Sequence, residues 1–162
     1  MPHQPYRVLF VCSGNICRSP MAEVVTRALL ADAGLSDQVE VDSAGTGGWH
    51  AGEGADRRTV RALADHRYDG SSHRAREFDP DWYADRDLIL VADQGHADQL
   101  RAWAPNEAAR DKIRLLRSFD PEAVAAGTEE IDDPWYGEAH DFERCLTEVE
   151  QACTGLVKWL SR

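Results

Sequence analysis

Two unbroken apolar runs, Val8-Leu9-Phe10-Val11 and Leu88-Ile89-Leu90-Val91, set the terms on which this chain can fold. Each is of strand length, and neither alternates polar with apolar residues, so each needs cover on both faces. That is the pattern of central strands in a parallel sheet covered by helices on either side. Val39-Glu40-Val41-Asp42 and Lys112-Ile113-Arg114-Leu115 alternate instead, which suits strands nearer the sheet edges. Four strands are expected.

Helical periodicity fills the intervals: roughly 19 to 34, then 55 to 67 with Val60, Leu63 and Ala64 on one face, then 94 to 103 with Leu100 and Trp103. The last helix carries the clearest stripe, Phe142, Cys145, Leu146, Val149, Cys153, Leu156, Val157 and Leu160. Strand followed by helix throughout predicts an open, doubly wound α/β fold, a four-stranded parallel sheet with helices on both faces. With 162 residues, 43% of them hydrophobic, the chain can bury one core, and a single domain over 1–162 is expected. The irregular stretches 45 to 54, 69 to 86 and 120 to 137 are candidate site loops.

Twenty-nine acidic residues against 18 basic ones give a formal charge of -11. Such a surface disfavours general attraction to nucleic acid or anionic membrane, and predicts weaker binding of strongly acidic peptides at low salt. No stretch approaches about 18 consecutive apolar residues. Met1-Pro2-His3-Gln4-Pro5 lacks the basic and apolar regions of an export signal, so a soluble cytoplasmic protein is expected. The four cysteines do not form the dense framework of a secreted scaffold and read as free thiols.

In doubly wound folds ligands sit beyond the carboxyl ends of the strands, and here the first strand runs into Cys12-Ser13-Gly14-Asn15-Ile16-Cys17-Arg18-Ser19-Pro20. Pro20 suits a first helical position and Ser19 the cap before it. Residues 12 to 18 are then a loop whose backbone amides converge on the start of a helix, a cradle for an oxyanion that Gly14 lets curl closely. Cys12 faces the same positive focus, which favours its thiolate and makes it a nucleophile. Six residues on, Arg18 offers a planar fork for two phosphoryl oxygens, a role lysine would not fill.

The run Cys12 to Pro20 resembles the signature loop of the low-molecular-weight protein tyrosine phosphatases, and the similarity extends over essentially the whole chain. Supporting matches are Asp42-Ser43-Ala44-Gly45-Thr46, Trp49, Ser72-His73-Arg74-Ala75-Arg76 and Asp132-Asp133-Pro134-Trp135-Tyr136-Gly137, in the same order. The resemblance implies hydrolysis of phosphotyrosine in proteins, without metal or cofactor, through a phosphocysteine on Cys12, with Arg18 as clamp and inorganic phosphate as product. It also picks Asp133 as general acid and then base. A phenolate whose conjugate acid has a pKa near ~10 departs faster when protonated, and a residue before proline is held extended. Glu129, Glu130 and Asp132 would favour the protonated form of Asp133 if they lie close.

Trp49 among glycines, with Trp135 and Tyr136 beside the acid, reads as the walls of a slot for a flat ring, too deep for phosphoserine to reach Cys12. The resemblance further implies that Asn15, Ser43 and His73 hold the loop in shape and that Ser19 supports the departing Cys12 thiolate. Ile16 matches tyrosine-directed members, whereas phosphoarginine-directed relatives carry Thr there. Cys17 is implied as the partner of Cys12 in a reversible, protective disulfide. Cys145 and Cys153 read as core, and His3, His50, His66, His96 and His140 as surface residues without zinc-like spacing. An arsenate reductase sharing this fold would need further redox cysteines, and none lies between 18 and 144. A non-catalytic phosphate-binding module would have no use for Asp133 and Trp49.

Overall fold

The structure, a computed structural model, describes residues 4–162, so His3 and most of the chain start discussed above lie outside the described residues. Strands β1 (Tyr6–Cys12), β2 (Val39–Gly45), β3 (Leu88–Val91) and β4 (Ile113–Leu115) form one parallel sheet in the order β2-β1-β3-β4. The two continuous apolar runs are the central pair, and the alternating segments are the edges. Helices α1 (Arg18–Asp32), α2 (Arg57–Asp65), α3 (Trp82–Asp85), α4 (Gln94–Trp103), α5 (Glu107–Arg110), α6 (Pro121–Ala126) and α7 (Ala139–Leu160) complete the chain.

The pleat of β1 sorts its side chains by twos. Val8, Phe10 and Cys12 enter a core shared with α1, α2 and α7, while Leu9 and Val11 enter a second core with Tyr83, Ala97, Leu100 and Ala109. The nucleophile candidate thus emerges on the α1/α7 side. The stripe on α7 is buried except for the partly exposed Leu160, and Ala152 joins it.

Several local expectations are corrected. Helix α1 begins at Arg18 with Cys17 before it, so Pro20 is its third residue and Ser19 does not cap it. Pro20 is still tolerated there, because the first four amides of a helix have no partner within it. On α2 the buried residues are Thr59, Ala62 and Leu63, with Val60 partly covered and Ala64 exposed. Counting only apolar residues misses the threonine that faces inward. Trp103 is half exposed, and the inner face of α4 is His96, Ala97 and Leu100. The segments 69 to 86 and 120 to 137 hold the short α3 and α6, too brief for periodicity to detect.

Gly155 on α7 meets the turn Leu116–Phe119 so closely that an added Cβ would stand 1.9 Å from the Phe119 carbonyl oxygen. Gly to Ala inside a helix ordinarily gains roughly 1 kcal/mol. Here the backbone overlap reverses the sign, and Gly155→Ala is expected to lower unfolding free energy by about 1–3 kcal/mol, measured by urea denaturation. Unchanged or raised stability would contradict the packing described.

Candidate active site

β1 ends on Cys12, whose Cα is registered with Gly45 at the end of β2. A side chain at Gly45 would place its Cβ 2.6 Å from the Ser13 carbonyl oxygen, so the loop can pass only over a glycine. The Cys12 carbonyl accepts from Thr46 N at 2.9 Å, and the Ser13 carbonyl from Gly47 N at 3.1 Å. The loop thereby rests on the start of the glycine-rich segment.

Its tight curl falls on Asn15, at φ 59°, and not on Gly14. Asparagine tolerates this left-handed conformation when its side chain is hydrogen-bonded, and here both side-chain polar atoms and the carbonyl are used. Nδ2 donates to Ser19 Oγ (2.8 Å) and Ser43 Oγ (2.9 Å), Oδ1 accepts from Arg76 N (3.0 Å), and the carbonyl accepts from His73 Nε2 (2.7 Å). Ser43 in turn donates to Glu23 Oε1 at 2.6 Å. Asn15, Ser43 and His73 therefore meet around the loop. Gly14 has a different use: a Cβ there would come within 3.0 Å of the His50 ring.

Cys12 is 3% exposed, and its Sγ lies 3.0 Å from Ser19 Oγ and 3.4 Å from Ser19 N. Because Ser19 Oγ accepts from Asn15, its own proton is free to point at the sulfur; the Ala44 carbonyl, at 3.4 Å, is the weaker competitor. The sulfur thus has the hydroxyl and the amide of Ser19 within reach.

Arg18 is 4% exposed, and its Nη1 donates to Asp93 Oδ2 (2.9 Å) and to the Ile131 carbonyl (2.7 Å). The Nε–Nη2 edge makes no hydrogen bond among the described residues. Nη2 lies 3.6 Å from Asp133 Oδ2. One edge of the guanidinium is thus fixed by protein, and the other is without a hydrogen-bond partner among the described residues.

Asp133 stands before the buried Pro134, and its Oδ1 accepts from Trp135 N at 3.1 Å while Oδ2 faces Arg18. Of the three acids expected to crowd it, two have other partners: Glu130 accepts from Gln94 N, and Asp132 pairs with Arg144 at 3.5 Å. Its immediate charged neighbour is the guanidinium.

A cavity of about 380 Å³ is lined by Cys12, Arg18, Trp49, His50, Asp133 and Trp135, with Ser13, Gly14, Ile16, Cys17 and Tyr136 completing it. Trp49 is 72% and Tyr136 84% exposed, and Trp135 packs edge-on against Tyr136 at 4.9 Å between centroids. Trp49 folds back onto Gly47, where a Cβ would overlap its ring at 2.2 Å. A larger cleft of about 600 Å³ at the outer edge of β2, lined by Arg7, Asp42, Trp82 and Arg86 among others, contains no cysteine. All four cysteines are free and buried, and burial pushes the Cys17 thiol up to about 12. Among the described residues no cluster of His, Cys, Asp or Glu could hold a metal ion.

Residues 7–162 match the family described as low molecular weight phosphotyrosine protein phosphatase. The chain belongs to this family. It is 58% identical over 152 residues to a low molecular weight protein-tyrosine-phosphatase of Streptomyces coelicolor, covering 94% of this chain and 92% of that one. Low molecular weight protein-tyrosine phosphatase A of Mycobacterium tuberculosis is 46% identical over 158 residues, covering 96% and 92%. A crystal structure of a protein tyrosine phosphatase from Entamoeba histolytica superposes with a TM-score of 0.89 at 31% identity, covering 96% and 97%.

In this low molecular weight phosphatase three site residues escaped sequence reasoning: His50, which lines the cavity, Asp93 and His96. Asp93 follows β3 by two positions, on the same sheet edge as Cys12, which is the signal that could have found it. His96, expected at the surface, is 4% exposed; its Nε2 pairs with Ser13 Oγ at 2.8 Å. Its Nδ1 lies 3.1 Å from Asp93 Oδ1, off the line of a good hydrogen bond. His66 and His140 are exposed as expected, and His50, partly buried, contacts Glu53 at 2.6 Å.

His96 thus joins the loop to the carboxylate that fixes Arg18. His96→Leu is expected to lower kcat for p-nitrophenyl phosphate about ten-fold with little change in KM, since positioning is lost and binding charge is not. An unaltered kcat would dissociate His96 from the site. Burial lowers the pKa of His96, so the unfolded chain takes up this proton first on acidification. Stability from this group is therefore present above the ordinary value of 6.5 and lost as pH falls below it, and His96→Gln flattens that slope.

Proposed function

We propose that Cys12, Arg18 and Asp133 carry out phosphotyrosine hydrolysis in two displacements within one domain spanning the chain. The Cys12 thiolate attacks phosphorus and the aryl oxygen leaves, taking its proton from Asp133. The Nε–Nη2 edge of Arg18 and the loop amides of Ser13 to Arg18 hold the phosphoryl oxygens as charge redistributes. Asp133, now a carboxylate, draws a proton from water; the water oxygen bonds phosphorus, the S–P bond breaks, and Ser19 stabilises the returning thiolate. Asn15, Ser43 and His73 preserve the loop's shape throughout.

The observation that carries this reading is the meeting at one point of a buried sulfur with Ser19 at 3.0 Å, a guanidinium with one free edge, and an acid 3.6 Å from it. The exposed Trp49, Trp135 and Tyr136 supply walls for a phenyl ring, and Ile16 lines the same cavity. Tyrosine-phosphorylated proteins in the cytoplasm are the substrates this supports, with phosphate as product. The chain's acidity disfavours nucleic acid as a partner, and no helix among the described residues is long and apolar enough to cross a membrane. Under peroxide, Cys17 is the partner for an oxidised Cys12, since both thiols are buried in the same core.

The test is a rapid-mixing measurement with p-nitrophenyl phosphate together with a vanadate-soaked crystal. A burst approaching one p-nitrophenol per chain and vanadium bonded to Cys12 Sγ are expected. Vanadate bound elsewhere would refute the assignment.

A further inference from the structure

The whole-chain charge of -11 hides a basic island beside the active-site mouth. Helix α2 opens Arg57-Arg58 and carries Arg61 one turn on, and these residues with Asp56 line an open groove. Arg58 is structural. It pairs with the helix cap Asp56 (3.0 Å), lies 4.4 Å over the Phe142 ring, and donates to the carbonyls of Trp135 (3.2 Å) and Gly137 (3.1 Å). Asp56 N in turn donates to the Ile16 carbonyl at 2.9 Å. The start of α2 is therefore bolted both to the phosphate loop and to the segment that bears Asp133 and the slot wall.

Arg57 and Arg61 stand four residues apart, on one helix face, and both are exposed. Among the described residues neither makes an ion pair or a side-chain hydrogen bond. The acids just before α2 are committed, Asp56 to Arg58 and Glu53 to His50. Most other arginines in this acidic chain are tied to a carboxylate, a carbonyl or an aromatic face, as Arg7, Arg27, Arg76, Arg86, Arg110 and Arg117 illustrate. Two unengaged guanidinium groups, held next to the slot by a third, form a patch complementary to carboxylates.

We propose that Arg57 and Arg61 form an accessory subsite selecting phosphotyrosine segments that carry acidic side chains within a few residues of the phosphorylated ring. This rests on the phosphatase reading above and adds a substrate class to it. The phosphate enters the Cys12 loop, the ring lies between Trp49 and Trp135, and the neighbouring Glu or Asp side chains meet α2. The local field thus reverses, for this stretch of substrate, the penalty that the chain's overall charge sets on acidic peptides.

The experiment compares two phosphotyrosine peptides identical except that Glu residues flanking the tyrosine on both sides are replaced by Gln. For the unaltered enzyme at about 20 mM ionic strength, where screening is weak, the Glu peptide is expected to be favoured roughly three- to ten-fold in kcat/KM. The preference should reside in KM and shrink in about 0.5 M salt. In Arg57→Glu/Arg61→Glu the preference should invert, while p-nitrophenyl phosphate, which has nothing to reach α2, is turned over within about two-fold of the unaltered rate. A Glu-to-Gln ratio that is the same in both proteins, or a Gln preference in the unaltered one, overturns the subsite. Sedimentation of the unaltered protein with vesicles rich in anionic lipid, abolished in the double variant and accompanied by no peptide preference, would assign the patch to a membrane surface and also overturn it. Loss of p-nitrophenyl phosphate turnover in the unaltered protein would instead strike the phosphatase reading, so the two failures are distinguishable.

Discussion

Cys12→Ser is expected to abolish turnover of p-nitrophenyl phosphate, by on the order of 10⁴-fold or more, while leaving the thermal unfolding midpoint nearly unchanged. The two residues differ by one atom, so the buried volume is almost conserved, and Ser19 still offers a hydroxyl partner. What is lost is the sulfur nucleophile: an alcohol is intrinsically a far weaker acid and a poorer nucleophile than a thiol, so the serine oxygen supplies no substitute. In the proposed mechanism the phosphoryl oxygens are held by backbone amides and the free edge of Arg18, none of which the substitution alters. The variant should therefore retain binding of a phosphotyrosine peptide, measured by calorimetry. Turnover that persists in Cys12→Ser would remove the sulfur from the mechanism, and loss of both turnover and peptide binding would mean that the loop itself had collapsed.

The second large effect belongs to Asp133→Ala, with an expected loss of roughly 10²–10³ in kcat for phenyl phosphate. Phenolate is a poor leaving group and needs the proton, whereas p-nitrophenolate needs it less. The loss should accordingly shrink along a series of aryl phosphates as the leaving group becomes more acidic, steepening the dependence of rate on leaving-group pKa. The Asp133 side chain is partly exposed and bonds only Trp135 N and the neighbourhood of Arg18, so its removal should not unfold the protein. Equal losses for every ester would argue that the carboxylate acts on Arg18 and not on the leaving oxygen.

How far the chain could be read in advance follows from the range over which its signals act. Leu88 to Val91 announce a central strand because four consecutive apolar residues have no polar face to offer water, and all four are buried. The loop from Cys12 to Ser19 is legible because its chemistry is contiguous. His96 was not, since nothing local says that a histidine on α4 will turn inward to meet a serine 83 positions away. The same holds for α2: Thr59 is polar by type but is carried inward by the packing of α2 against α7. Ser19 failed as a cap because α1 already starts at Arg18, which places Ser19 inside the first turn with its hydroxyl beside Cys12 and Asn15.

The Thr46 amide that donates to the Cys12 carbonyl ties the last residue of a central strand to the first residue beyond its neighbour. Deuterium uptake at Thr46 should therefore be as slow as in the heart of the sheet, requiring near-global opening, while amides around the exposed Trp49 exchange by local fluctuation. A covalent inhibitor aimed at the sulfur meets an anchor as durable as the fold, and one that leans chiefly on the indole does not.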